Sequence, residues 1–508
     1  MTPTAEPMRL SRAGRTPFWA RPFGEASLAS PLAVFALALA WTLLVRSPLW
    51  RMDGLDDAFY VEVAHLWSQG DLPYAHAFDV KPPGFFAILA VAQTLFGPTL
   101  DSLRAVAVVS DGLAATGMFF LGRRFGVPAV GAFAAILYPV LSEVVTSNDA
   151  YCPLAALTIF AFLAGLSRAP LLRKAALAGV LIGAACVVKQ TAAFEAIALL
   201  FILLTAPDAR ERRAATAAVF IAAAALVPLA FLADFAVHGA AQALIDDAVL
   251  GALIRPASAA EGVTLLGGVE RYFVLQKSDV AIFGFACIAL LRRRALRAAL
   301  PDAPIGALEA WFALATLSIL AQRAIAITYL GPTLAPGLLL AGLCLTQAAP
   351  ELRRIPQAVR LAGLALASVA VALAVPGNLL TMRQQADALA VAAAAIRDSG
   401  PREGDRLYVV NRGDWLYGEV DLPPATQYFY PGHTLCDFFA QKGPGLLASI
   451  LATEPRYVVV ADRRLHYACE QKDRWPVVDD ALQRSYRRIA HAAGASDFYD
   501  VYEASKPQ

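Results

Sequence analysis

Charge is what this 508-residue chain has least of. Asp, Glu, Lys and Arg make up 17% of it against 58% hydrophobic residues, and the mean hydropathy is +0.54. A water-soluble chain so poor in charge would expose too much apolar surface, so a membrane protein with many spans is indicated. Nucleotide-binding signatures are missing too: no GxGxxG follows a strand, and there is no P-loop. No small-residue cleavage site follows the first apolar run, 32–45, which therefore reads as an uncleaved span. Cysteines number only six. Cys152, Cys186, Cys287 and Cys344 lie in or near spans and read as packing residues. Cys436 and Cys469 form either a disulfide in an oxidising compartment or two small buried thiols. No internal repeat is visible, and the net charge of +2 says nothing about partners because the charges are segregated by loop.

The apolar runs predict eleven spans, near 31–47, 103–122, 127–144, 150–167, 175–188, 191–205, 214–236, 278–291, 305–322, 328–347 and 358–377. Their orientation follows from the basic clusters. Arg9, Arg12, Arg15 and Arg21 precede the first span. Arg123-Arg124, Arg168/Arg173/Lys174, Arg210/Arg212/Arg213, Arg292 to Arg294 with Arg297, and Arg353-Arg354 then fall on the same side, as the positive-inside rule requires. The apolar run 83–96 is left out, because a span there would turn every later cluster outward; the alternative is a twelfth span. It reads as a helix along the outer surface, beside a second at 58–68 with the stripe Phe59, Val63, Leu66-Trp67.

The fold class is thus mainly α: a cytoplasmic tail 1–30, a polytopic transmembrane domain 31–380 with a long first outer loop 48–102, and an extracytoplasmic α/β domain 381–508. In the last, 406–410 and 456–461 read as short buried strands and 384–398 and 441–453 as helices.

The informative charges gather on the outer side once the topology is set by other residues. The first loop carries the pair Asp56-Asp57 and the step Lys81-Pro82-Pro83. Asp149 starts the fourth span, Lys189 lies in the turn between the fifth and sixth, and the outer loop 238–277 carries Arg271. Charges beside hydrocarbon are costly unless paired or functional, so acids and cations at one level suggest acid/base work on an anionic substrate. Each has a plainer reading: Asp149 as a helix cap, Lys189 as a snorkelling lysine, Asp57 and Arg271 as solvated loop charges.

These residues resemble the GT-C glycosyltransferases, in particular the protein-mannosyltransferase and lipid A aminoarabinose-transferase branch. The resemblance rests on Asp56-Asp-Ala-Phe-Tyr60, Gly70-x-x-x-Tyr74, Lys81-Pro-Pro83, Leu103-Arg104, Leu121-Gly-Arg-Arg-Phe-Gly126, Asp149, the Lys189 turn and Thr328-Tyr-Leu-Gly-Pro-Thr-Leu-Ala-Pro336. It covers about residues 30–345, and Asp57 stands where the branch more often has Glu. It implies transfer of a sugar, with inversion, from a polyprenyl-phosphate donor to lipid A, another envelope glycan or a protein, on the outer face of the bacterial inner membrane. Asp56 would be the base and Asp149 its support, with Asp57 also in the acid group. Lys81, with Lys189, Arg271 and Tyr329, would hold the donor phosphate. No metal is expected to be obligatory, although some members use a divalent ion. The bilayer, the lipid-linked sugar and the acceptor are the expected partners, with no nucleic acid. A transporter or flippase would instead place ionisable residues at mid-membrane in paired halves; a catalytically inactive relative is the third reading.

Overall fold

The computed structural model describes residues 30–47, 56–142, 151–206, 209–253, 280–300, 304–321, 327–348, 379–430, 445–462, 475–494 and 498–505. Asp149, Arg271, Cys436, Cys469 and the run 358–377 lie outside the described residues.

Ten of the apolar runs read as spans are helical where described. They are α1 (Pro31–Arg46), α4 (Leu100–Arg124), α5 (Pro128–Leu141), α6 (Cys152–Gly165), α7 (Leu171–Val188), α8 (Ala192–Thr205), α9 (Arg213–Val237), α11 (Val280–Leu291), α13 (Ile305–Ala321) and α14 (Gly331–Ala348). Between α1 and α4 stand α2 (Asp57–Ser68) and α3 (Pro83–Phe96); α10 (Ala241–Leu244) and α12 (Arg293–Ala299) are short connectors. Three of these helices, α4, α7 and α9, are long and apolar enough to cross a bilayer by themselves, and seven shorter ones are apolar. Leu226 and Leu229 on α9 and Ile197 and Phe201 on α8 are exposed on the outside of the bundle, the inverse of a soluble surface and the pattern of a membrane protein.

Inside the bundle α4 packs against α1, α5 and α6, and α7 against α6, α8 and α9. Small residues allow the close crossings: Gly122 of α4 lies against Gly131 of α5 with no room for a Cβ on either. One charge pair is sealed in this core. Arg46, at the end of α1, donates from Nη2 to Asp111 Oδ2 of α4 at 2.7 Å, and both side chains are almost fully buried. Nothing in the spacing of the sequence pairs these two positions.

The first loop departs from its expected form. The stripe on 58–68 predicts one buried face, yet α2 buries Asp57, Tyr60, Val61, Glu62 and Ala64 as well. The reason is tertiary cover on both sides. Helices α3 and α4 pack on one flank, where Gln93 Nε2 donates to the Val61 carbonyl at 2.8 Å. The other flank meets the C-terminal part of the chain: α16 (Trp415–Val420) packs on α2, while Phe429 and Tyr430 set their rings 5.1 and 4.8 Å from Phe59.

That C-terminal part opens with α15 (Leu379–Asp398) and holds a four-stranded sheet of β1 (Leu407–Val409), β2 (Tyr457–Ala461), β3 (Tyr486–Ala493) and β4 (Phe498–Ala504). The order is β1-β2-β4-β3, with β1 and β2 parallel and the other pairs antiparallel. Both runs read as buried strands are strands, and their continuous hydrophobicity has its reason in two covered faces. Tyr408, Val458 and Val460 pack with Leu447, Ile450, Val478 and Leu482 of α17 (Gly445–Leu451) and α18 (Trp475–Ser485). Leu407, Val409 and Val459 join the large core that includes Ala392 and Ile396 of α15.

Candidate active site

Asp56 is the N-cap residue of α2, but its side chain makes no capping bond. The carboxylate is held by two phenols instead. Tyr60 OH donates to Oδ2 at 2.7 Å, the i,i+4 spacing placing both on one helix face. Tyr430 OH donates to Oδ1 at 2.5 Å from 374 positions away. Burial first, and then the charges of Asp56 and Asp79 with the phenols of Tyr151 and Tyr430, raises the Tyr60 hydroxyl well above its ordinary range. It therefore stays a proton donor to Asp56.

Lys81 approaches the same group from the other side. Its Nζ lies 4.4 Å from the centre of the Tyr60 ring and 3.7 Å from Asp79 Oδ2. The backbone beneath it is fixed three ways. Pro82 and Pro83 set an extended step into α3. Tyr74 OH donates to the Lys81 carbonyl at 2.6 Å, and Gln190 Nε2 donates to the Val80 carbonyl at 2.8 Å.

Gln190 is the link to the second lysine. It follows Lys189, which ends α7 in an extended conformation (φ −154°, ψ 128°), at the helix terminus where a cation is favoured. Lys189 Nζ lies 3.7 Å from the centre of the Tyr151 ring and 4.3 Å from that of Tyr329. The turn also holds Ala248 through a second bond from Gln190, 2.7 Å. Only a glycine lets α3 begin here, since a Cβ on Gly84 would sit 2.6 Å from the Val187 carbonyl oxygen. The segments that carry the two lysines, 108 positions apart, are thus joined by the Gln190–Val80 hydrogen bond and the Gly84–Val187 backbone contact.

Of the residues singled out by sequence, Asp56, Lys81, Lys189 and Tyr329 are placed around Tyr60 and Tyr151; Asp149 and Arg271 lie outside the described residues. Asp57 points elsewhere: its Oδ2 is 2.9 Å from Arg104 Nη1 of α4, with both side chains buried. Tyr430, Gln190 and Asp79 are marked by no local sequence pattern, and the structure adds them to the site. Tyr60 was part of the quoted motif without a role, although its spacing from Asp56 was signal enough. Among the described residues, no group of three His, Cys, Asp or Glu side chains could hold a metal ion. Chemically, the arrangement offers a fixed carboxylate that can take a proton, with the Lys81 ammonium across the Tyr60 ring from it and the Lys189 ammonium at the Tyr151 and Tyr329 rings.

Comparison with known proteins gives the class first. The fold resembles that of solved glycosyltransferases of the GT-C superfamily. Within it the likeness is to the mannosyltransferase and ArnT-like branch: residues 80–234 match the sequence profile of the dolichyl-phosphate-mannose-protein mannosyltransferase family. ArnT from Cupriavidus metallidurans bound to undecaprenyl phosphate superposes with a TM-score of 0.63 at 15% identity, over 95% of this chain and 100% of that one. Its apo state gives 0.58 at 16%, over 94% and 99%. The oligosaccharyltransferase AglB from Archaeoglobus fulgidus, in complex with an inhibitory peptide and a dolichol-phosphate, gives 0.51 at 13%, over 85% of this chain and 69% of that one. No curated protein matches the chain by sequence.

Proposed function

We propose that this protein is a glycosyltransferase that moves a sugar from a polyprenyl-phosphate donor to a hydroxyl of a cell-envelope acceptor, with inversion. The carrying observation is that Asp56 and Lys81 both meet Tyr60, and that the Lys81 segment is bonded to the Lys189 turn through Gln190 and Val80. The acceptor oxygen attacks the anomeric carbon from the face opposite the phosphate while Asp56 takes its proton. The bond from that carbon to the phosphate oxygen breaks, and its electron pair leaves with the polyprenyl phosphate. Lys81 and Lys189 steady the growing charge. A single displacement inverts the anomeric centre. Asp149 supports the base, and Arg271 joins the phosphate cations. Tyr329 acts through Lys189, whose ammonium its ring faces, and Asp57 acts through Arg104 by fixing the start of α2. The two lysines supply the positive charge, so no obligatory metal enters the scheme.

The donor's lipid is met at the bilayer surface of the bacterial inner membrane, on the periplasmic side. The contact of Tyr430 with Asp56 of the first loop supports the same side for the sheet-bearing part. Lipid A, another envelope glycan and a protein hydroxyl remain the acceptor classes. Mass spectra of lipopolysaccharide and glycoproteins from a deletion strain, set against wild type, identify the acceptor. The purified protein in nanodiscs, given undecaprenyl-phosphate-linked sugars and that acceptor, should release undecaprenyl phosphate. Asp56→Asn should slow the release by about 10²–10⁴-fold; a variant retaining more than about a tenth of the rate would take the base role away from Asp56.

A further inference from the structure

Asp79 carries a charge that the scheme above leaves without a task. It lies two residues before Lys81 and is 2% exposed. Its Oδ1 accepts from the Val80 N–H at 2.7 Å. Among the described residues Oδ2 receives no hydrogen bond. Lys81 Nζ stands 3.7 Å from it, too far for a hydrogen bond and close enough for strong attraction where water is scarce. A buried acid is costly unless it is paired, and a neutral side chain of the same size would fill the space at lower cost.

The two partners differ in freedom. The backbone around Asp79 is tied at several points. Phe78 N–H donates to the Gln427 carbonyl at 2.8 Å, the Val80 carbonyl accepts from Gln190, and the Lys81 carbonyl accepts from Tyr74. The Asp79 carboxylate is on a short stem and is pinned through Oδ1 to the Val80 amide, so it stays in place. The Lys81 ammonium ends a flexible four-carbon stem. It lies 4.4 Å from the centre of the Tyr60 ring, and its side chain is 16% exposed. The lysine can leave the carboxylate for another anion, and the carboxylate cannot follow it.

We propose that Asp79 is the resting counter-ion of Lys81 and competes with the lipid phosphate for that lysine, which limits how tightly the phosphate product is held. The inference rests on the donor reading above and adds a residue that acts, through Lys81, on product release. The competition is unequal. The phosphate of a sugar-linked donor is a diester with a single negative charge. The polyprenyl phosphate released is a monoester, with a charge of about −1.5 to −2 at pH 7. A fixed carboxylate beside the lysine opposes the added charge as well, so it loosens the product more than the donor. Without it, the cations that steady the leaving phosphate in the transition state would also retain it.

The test is a binding comparison on the full-length protein in nanodiscs. The probes are undecaprenyl phosphate and its monomethyl ester, a diester with a single charge. Asp79→Asn keeps the size of the side chain and removes its charge. It should tighten the Kd for undecaprenyl phosphate about tenfold, the lower end of what a neighbouring charge does to the equilibrium of a charged group, and tighten the ester less. Asp79→Ser, a second neutral variant, should do the same. Asp79→Glu restores the charge and should return the Kd most of the way to that of wild type. A gain of affinity that depends on charge is not what damage to the fold produces. If wild type binds undecaprenyl phosphate and both neutral variants bind it no more tightly, Asp79 is not a competitor, and this inference fails while the donor reading stands. Tightening by Asp79→Glu as large as by Asp79→Asn, or equal tightening of both probes, would also overturn it. If undecaprenyl phosphate does not bind to wild type, the donor reading falls and takes this inference with it.

Discussion

Tyr430→Phe removes one oxygen from a residue more than 370 positions from the base it touches, and it should cost rate rather than fold. The ring remains to pack on Phe59 at 4.8 Å, so the Tm should shift little. What is lost is the 2.5 Å donor to Asp56 Oδ1. A hydrogen bond to a charged group contributes about 1.5–3 kcal/mol, and about 1.4 kcal/mol is a factor of ten in rate, so kcat should fall about 10–150-fold. The loss should stay below that of Asp56→Asn, because Tyr60 still holds Oδ2. KM for the donor should hold, since Lys81 and Lys189 are untouched. Steady-state release of undecaprenyl phosphate at saturating acceptor gives both constants. A double-mutant cycle makes the reasoning strict: in an Asp56→Asn background, Tyr430→Phe should add almost nothing, because it acts through the base alone. A kcat within twofold of wild type, or a loss that simply adds to that of Asp56→Asn, would refute it.

Lys81→Ala and Lys189→Ala should each raise the donor KM and also lower kcat, because charge on the leaving phosphate is greatest in the transition state; unchanged constants in a well-folded Lys81→Ala protein would remove that residue from the site. Glu62 supplies a pH test of stability: burial, and after it Asp421, pushes its carboxyl from 4.5 up to about 8. The folded protein therefore holds a proton that the unfolded chain has released, and stability falls as pH rises from 4.5 through about 8. Glu62→Gln should raise Tm clearly at pH 9 and little at pH 5, and a gain independent of pH would contradict the burial argument. Alkaline phosphatase fused after residue 385 should be active and a cytoplasmic reporter there silent, with the reverse result breaking the shared-side topology.

The helices of the membrane part were legible because each buries or exposes a continuous apolar run, and the two core strands because both their faces are covered. Lys81 could be read since proline constrains the residue before it and starts a helix, both local effects. Tyr430 could not: its partner is fixed by how the C-terminal part settles on α2, and no local period records that. The buried pairs Arg46–Asp111 and Asp57–Arg104 were hidden for the same reason. Helical periodicity says which face of α2 is apolar; it cannot say that a second surface will cover the polar face as well.

The neighbouring acids at the start of α2 show how the visible and hidden parts of the site depend on each other. Successive residues at a helix start project in directions about 100° apart, so Asp56 and Asp57 cannot serve the same group. Asp57 turns into the bundle and pairs with Arg104 at 2.9 Å. That ion pair ties the first turn of α2 to α4, and breaking it would leave a buried charge unmatched. With the turn so fixed, Asp56 faces the other way, toward Tyr60 and Tyr430. An acidic pair that reads in sequence as two candidates for one task is therefore a division of labour: one carboxylate anchors the helix, and the anchor aims the other.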